Sequence, residues 1–387
     1  MNILIAHNRY QIPGGEDTVF EQEAELLRQN GHHVFCYERT NDELNQMNKL
    51  QKLAVPFSMI YSFKTAREIR SIIKKEKINI VHVHNTLLRV SPSVYYASLK
   101  ENVPVVQTIH NFRMICPNGL CYRDGHICEE CTEKGLNCAI KHSCYRNSKL
   151  QTIANVLSMK IHRMTGIYKK LNYICLTEFN KKQLLKQGQI REEQIFIKPN
   201  SIKASHSVIP FDKRKNQIIF AGRLEESKGI LFLLDVWKNM GNHPYKLLIY
   251  GSGPLEETCK ERIQKEHLEG IVLCGRMDHE KLMSVIGESK ALILPTQWYE
   301  GFPMSLLEAM SCGTPVIVPD MGNAGSIVVN GVNGYKYEPN TIKDCIRAIN
   351  ENMNITDSVY NHFKDNYSEE KNYHMLMDIY QKVMADQ

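Results

Sequence analysis

Along this chain, short apolar runs alternate with stretches whose apolar residues recur every three to four positions. That is the rhythm of β/α units wound around a parallel sheet. A first series of runs predicts strands at Ile3–His7, His33–Tyr37, Ile78–His84, Val103–Ile109, Tyr173–Leu176 and Gln194–Lys198. A second series predicts Gln217–Ala221, Tyr245–Tyr250, Ile271–Cys274, Ala291–Pro295 and Pro315–Val318. Helical spacing fits between them, as in Glu16–Asn30, Gly229–Asn239, Leu255–His267 and His279–Ile286. Ile202–Asn216 is polar and aperiodic, so the pattern places a linker there between two α/β domains, 1–202 and 203–366. Helical spacing returns near Tyr367 (Tyr373, Leu376, Met377, Tyr380, Val383), and the tail 367–387 is expected to pack back on the first domain. Phe112–Ser148 breaks the rhythm and reads as an insertion holding six cysteines: Cys116, Cys121, Cys128, Cys131, Cys138 and Cys144.

Composition agrees with this picture. A chain of 387 residues suits two domains, and 43% hydrophobic with 23% charged residues is ordinary for a globular protein. No apolar run approaches the length of a membrane span. The opening Met1–Ala6 reads as a strand without a basic leader region, which predicts a cytoplasmic chain. A net charge of +6 fits anionic ligands or a membrane surface better than nucleic acid, which calls for a denser basic stripe. In a cytoplasmic chain, twelve cysteines point to metal or redox chemistry before disulfides.

Candidate chemistry gathers at strand ends. After Phe220-Ala221, Gly222 lets the chain turn, so Arg223 and Lys228 sit where a strand's carboxyl end meets a helix start. Ligands of open α/β sheets bind there, and two cations with free amides suit a diphosphate. A solvated loop with incidental charge is the plainer reading. Gly251 and Gly253 form a strand–loop–helix turn without the third glycine of a dinucleotide fingerprint; the backbone is expected to approach a nucleotide ligand there, and Arg276-Met277, ending another strand, to line the same cleft. In the first series, Pro13-Gly14-Gly15 precede a helix; one glycine suffices for a plain connection, so two suggest a ligand close to the backbone. A lone strand-end histidine is ordinarily structural, but His110, at a carboxyl edge, is placed to act on a substrate.

The stretch Tyr299–Ile317 carries Glu300 and Glu308 around Gly301-Phe302-Pro303. Pro303 is expected in the first helical turn, leaving the amides of Met304, Ser305 and Leu306 as anion donors. Gly313 ends that helix. The two carboxylates would then line one pocket on either side of a helix start.

These features together resemble the family 4 glycosyltransferases, whose GT-B fold has two Rossmann-like domains facing across a cleft. The resemblance rests on Gly222-Arg223 with Lys228-Gly229, Gly251/Gly253, Glu300 with Glu308, and Asn330-Gly331-x-Asn333-Gly334. Gly14-Gly15, Asn30–Val34, His110-Asn111 and Pro199-Asn200 extend it to the first domain. It departs at Gly325-Ser326, where many members carry a glutamate. The resemblance implies that Arg223 and Lys228 hold the diphosphate of a nucleotide sugar, approached by Gly15. It places Glu308 on the ribose, Glu300 and the backbone after Gly301 near the donor sugar, and His110 at the reaction centre. It implies retention of configuration and a UDP or GDP sugar as donor. Cations and a helix end can stabilise the leaving group, and the chain has no Asp-x-Asp, so no catalytic metal is expected.

Cys128-x2-Cys131 has metal-knuckle spacing, and with Cys116 and Cys144 makes a candidate structural zinc site. Lys149–Lys170 reads as one helix with apolar Ile153, Val156, Leu157, Ile161 and Met164 among basic residues. This predicts peripheral contact with an anionic membrane and a lipid-linked oligosaccharide acceptor. The expected activity is glycosyl transfer in bacterial surface-polysaccharide assembly. The alternatives are a sugar-nucleotide epimerase of the same fold and a zinc-bearing nucleic-acid module.

Overall fold

Ile3, Leu4, Ile5 and Ala6 are all fully buried, yet they serve two different cores. Side chains alternate across a strand. Ile3 and Ile5 therefore pack with Phe20, Ala24 and Leu27 of the helix Gly15–Gln29. Leu4 and Ala6 pack with Ala66, Ile69 and Ile73 of the helix Phe63–Glu76. A strand covered on both faces reads as a continuous apolar run and belongs to a parallel sheet.

The computed structural model describes residues 1–11, 14–204 and 208–385. Pro13 and residues 205–207 of the expected linker lie outside them. The chain divides into two units. The first comprises Met1–Cys121, Cys128–Pro199 and Asn372–Gln387, and the second comprises Tyr122–Ile127 and Asn200–Lys371.

In the first unit the strands are β1 (Asn2–Arg9), β2 (His33–Thr40), β3 (Ile80–Val83) and β4 (Val105–Ile109). A short antiparallel hairpin, β5 (Tyr122–Arg123) and β6 (His126–Ile127), follows within the insertion and is counted with the second unit. β7 (Asn172–Cys175) and β8 (Ile195–Ile197) complete the first sheet, in the order β2-β1-β3-β4-β7-β8 with every pairing parallel. The C-terminal helix Glu369–Ala385 supplies Leu376, Ile379, Tyr380 and Val383 to the core under Ile3 and Ile5.

The second unit holds β9 (Lys215–Ala221), β10 (Lys246–Tyr250), β11 (Ile271–Gly275), β12 (Ser289–Ile293), β13 (Val316–Pro319) and β14 (Gly334–Tyr337). Their order is β11-β10-β9-β12-β13-β14, again parallel throughout. Both units are thus doubly wound α/β sheets. β14, with sequence GYKY, carries too little apolar pattern to be read from sequence. The expected continuous helix Lys149–Lys170 is also interrupted. It spans Lys149–Met164, Gly166 turns left-handed at φ 66°, and a 3-10 turn covers Ile167–Lys170.

Each sheet has a point where successive crossovers depart to opposite sides. In the second unit it lies between β9 and β12, and in the first between β1 and β3. The loops leaving those strands part there, opening the crevice in which such sheets bind ligands.

Candidate active site

In the second unit, residues distant in sequence meet at that switch point. Lys228 closes the loop after β9, and Glu300 lies in the loop after β12. The Lys228 ammonium donates to both carboxylate oxygens of Glu300, at 2.8 and 2.9 Å. Thr296 Oγ1 donates to Glu300 Oε1 at 2.9 Å. Asn323 donates its amide to the backbone carbonyls of Glu300 and Gly301, fixing the loop from below. Glu300 is buried and Lys228 is partly exposed, lying 5.3 Å from the Trp298 ring centroid. The ammonium thus sits at the surface end of a buried polar cluster, its charge balanced until an anionic group arrives.

The glycines around this crevice have their reason within the chain. A Cβ on Gly251, at φ +131°, would lie 1.8 Å from the Gly222 carbonyl oxygen. One on Gly253 would lie 2.3 Å from that of Leu224. The loops after β9 and β10 approach closely, tied by hydrogen bonds from Gly222 N–H to Tyr250 and from Leu224 N–H to Ser252. Gly251 and Gly253 are therefore required by loop packing. Gly14 differs: no atom lies within 4 Å of a Cβ built there. Gly14 and Gly15 are exposed, and the Gly14 amide donates to Asp17 Oδ2 at 2.7 Å.

Other expected residues are placed as follows. Arg223 is largely exposed, its Nε 3.3 Å from Glu225. Arg276 donates to Ser252 Oγ at 2.6 Å, joining the loops after β10 and β11, and Met277 beside it is exposed. Phe302 is buried and meets Tyr367 edge-on. Glu308 lies in the helix Met304–Ser311, 3.1 Å from His279 Nε2. The helix start differs from expectation. Pro303 is the N-cap, in extended conformation, and the Leu306 amide donates to its carbonyl at 3.1 Å. Leu306 is thus engaged and buried, which leaves Met304 and Ser305 as the amides heading the helix.

In the first unit, His110 follows β4 and is buried, its Nε2 2.9 Å from His84 Nδ1. Burial and the neighbouring His84 hold its pKa well below the usual histidine range. His110, Asn111, His84, Asn85 and Arg113 line one cavity of this unit. Sequence reading missed Glu16, whose carboxylate accepts from Asn85 Nδ2 at 3.0 Å and Asn111 Nδ2 at 3.3 Å. Burial pushes its pKa up. Its position directly after the glycine pair was the available signal.

Of the four cysteines expected to hold zinc, Cys131 lies close enough to Cys116 and Cys144 to feel their charge. Among the described residues, one group of three or more His, Cys, Asp or Glu side chains has ligand atoms within 4.8 Å of one another, and it is Glu23, His82 and His84. The Cys121 thiol and the amides of its loop hold Cys116 down, to about 6. Burial and the neighbouring thiols push Cys131 up, to about 12.

Residues 13–206 match the model of glycosyltransferase family 4, and residues 201–370 match that of glycosyl transferases group 1. The chain belongs to glycosyltransferase family 4. It is an enzyme of the glycosyltransferase class with the GT-B fold. It is 24% identical over 363 residues to an uncharacterised glycosyltransferase of Methanocaldococcus jannaschii, covering 92% of this chain and 89% of that protein. It is 30% identical over 188 residues to the lipopolysaccharide 1,6-galactosyltransferase of Escherichia coli, covering 46% of this chain and 51% of the relative. Its fold is similar to that of Anabaena HepE, solved in complex with UDP, with a TM-score of 0.65 at 16% identity, over 99% of this chain and all of that one.

Proposed function

We propose that this transferase moves a sugar, with retention, from a nucleotide diphosphate donor to a glycan acceptor in bacterial surface-polysaccharide synthesis. The observation that carries the reading is the Lys228–Glu300–Thr296 cluster at the switch point of the second sheet. A diphosphate arriving there gains the Lys228 ammonium and Arg223, with the Met304 and Ser305 amides at the helix start. Glu308 is assigned to the ribose, and the Glu300 loop with Gly301 to the donor sugar. In the first unit, His110, Gly14 and Gly15 are assigned to substrate binding. Glu300 is already engaged by Lys228 and Thr296, which favours front-face attack over a carboxylate nucleophile. HepE's complex with UDP supports a uridine donor, and the lipopolysaccharide galactosyltransferase supports a surface-glycan acceptor.

A lipid-linked acceptor is favoured by the first unit's surface. Leu150, Ile153, Leu157 and Met164 share one exposed stripe of the helix Lys149–Met164, interleaved with Lys149 and Lys160. The adjoining helix Lys49–Ile60 exposes Leu53 and Phe57, with Lys49 and Lys52 beside them. Among the described residues no helix is long and apolar enough to cross a membrane, so contact would be peripheral.

Calorimetric titration with UDP and GDP tests the donor site, and mass spectrometry of products from a panel of sugar nucleotides tests the transfer. Binding of either nucleotide, with sugar appearing on an acceptor and the donor's anomeric configuration kept, is expected. Absence of nucleotide binding would overturn the reading.

A further inference from the structure

Behind His110 lies a chain of buried ionisable groups that the proposed transfer does not itself use. Lys198, fully buried at the end of the first sheet, donates to Glu23 Oε2 at 2.9 Å and to Asn372 Oδ1 at 3.0 Å. Glu23 comes from the helix Gly15–Gln29, and Asn372 from the C-terminal helix. The other oxygen, Glu23 Oε1, lies 2.8 Å from His82 Nδ1 and 3.3 Å from His84 Nε2. Neither approach has the geometry of a hydrogen bond, so both contacts are electrostatic. His82 is held by Thr108 and Tyr380, each at 2.7 Å. His7, bonded to Asp17 at 2.8 Å, meets the His84 ring edge-on. These groups face His84 and His110 from β1, β3, β4 and both packed helices.

Among the described residues, Glu23, His82 and His84 also bring their ligand atoms within 4.8 Å of one another. The Lys198 ammonium already neutralises that carboxylate, and a buried pair of this kind leaves no net charge for a metal ion to meet.

The tautomers follow from electrostatics. Beside Lys198, Glu23 is ionised, its pKa well below the usual range despite burial. His84 is neutral, because burial lowers its pKa to about 4, so it carries one ring proton. That proton belongs on Nε2, since a ring lone pair facing a carboxylate oxygen would be repelled. His84 Nδ1 is then an acceptor, and its partner at 2.9 Å, His110 Nε2, must be the donor. We infer that Lys198, Glu23 and His84 are positioning residues that lock His110 as the neutral Nε2–H imidazole, leaving Nδ1 to accept a hydrogen bond from a substrate hydroxyl. This rests on the assignment of His110 to the reaction centre. His110 would then recognise a hydroxyl and carry no charge for the diphosphate, a duty left to Lys228 and Arg223.

The full chain, with ring-15N-labelled histidine, is examined by long-range 1H–15N correlation at pH 7, with His84→Gln and His110→Gln for assignment. His110 is expected to be neutral with its proton on Nε2. Glu23→Gln, or Lys198→Met if that variant does not fold, is expected to displace this tautomer as the majority species. It should also lower kcat by about tenfold or more with little change in donor KM, as loss of a group orienting a functional imidazole does. A wild-type His110 protonated on Nδ1 or on both nitrogens, or a tautomer unmoved by either variant, would overturn the inference. The donor-free spectra report on the imidazole whichever donor is used, so a failure here is distinct from a failure of the proposed transfer.

Discussion

Lys228 holds the buried Glu300 carboxylate and also supplies the cation expected at the diphosphate, so removing it should have two effects. Lys228→Ala leaves Glu300 with Thr296 as its remaining side-chain partner among the described residues. Stripping the partner from a buried charge costs about 3 kcal/mol, the low end of the usual range because Lys228 is partly exposed. Arg223→Ala removes an exposed guanidinium and should leave stability unchanged. Both variants should weaken UDP binding by calorimetry, and urea unfolding should separate them. Equal stabilities would show that the Lys228–Glu300 pair contributes little. Each of the two residues was legible in the sequence as a candidate, one beside a glycine turn and the other before a helix. Their pairing was not legible, because it depends on β9 and β12 being neighbours.

The helix Lys149–Met164 buries Thr152, Val156 and Met159 and turns Leu150 and Met164 outward, at 80% and 85% exposure. Val156 and Leu157 looked alike in the sequence. Only packing sends the first inward and the second to solvent. The double variant Leu157→Glu/Met164→Glu removes apolar contact without touching the core. It should abolish co-sedimentation with anionic vesicles at low salt while leaving the unfolding midpoint in place; binding equal to wild type would remove the case for membrane docking. The inner face joins this helix to its neighbour through His162, whose Nε2 donates to the Ile60 carbonyl at 3.1 Å. Burial lowers the His162 pKa from 6.5 to about 4. Between those values the unfolded chain binds a proton that the folded chain refuses, so this contribution to stability is present above pH 6.5 and lost as pH falls toward 4. It amounts to about 2 kcal/mol between pH 7 and 5. Urea midpoints at those two pH values should differ less in His162→Gln than in wild type.

At the scale of the whole molecule, the first unit needs the end of the chain for its core. Leu376, Ile379, Tyr380 and Val383 pack under β1, and Asn372 meets Lys198. Leu376→Ala should cost the first unit about 2–5 kcal/mol by cavity formation. Deleting 372–385 should unfold that unit, and hydrogen exchange should then show protection lost in β1, β3 and β4 first, while persistence of their protection would contradict this packing. By itself the sequence determined the alternation of strands and helices, because a strand buried on both faces must be apolar throughout and a surface helix must be apolar on one side. It also marked the strand ends where chemistry collects, since cations, carboxylates and glycines stand out against apolar runs. It could not decide strand order, which no local pattern encodes, and so could not decide that Lys228 meets Glu300 or that Glu23 and Lys198 stand behind His110. It marked Gly251 and Gly253 as a turn, and only the packed loops reveal the Gly222 and Leu224 carbonyls that exclude a side chain there. Local periodicity follows from burial of each element, but partners, charge balance and tautomers follow from which elements are brought together, and the tertiary structure alone decides that.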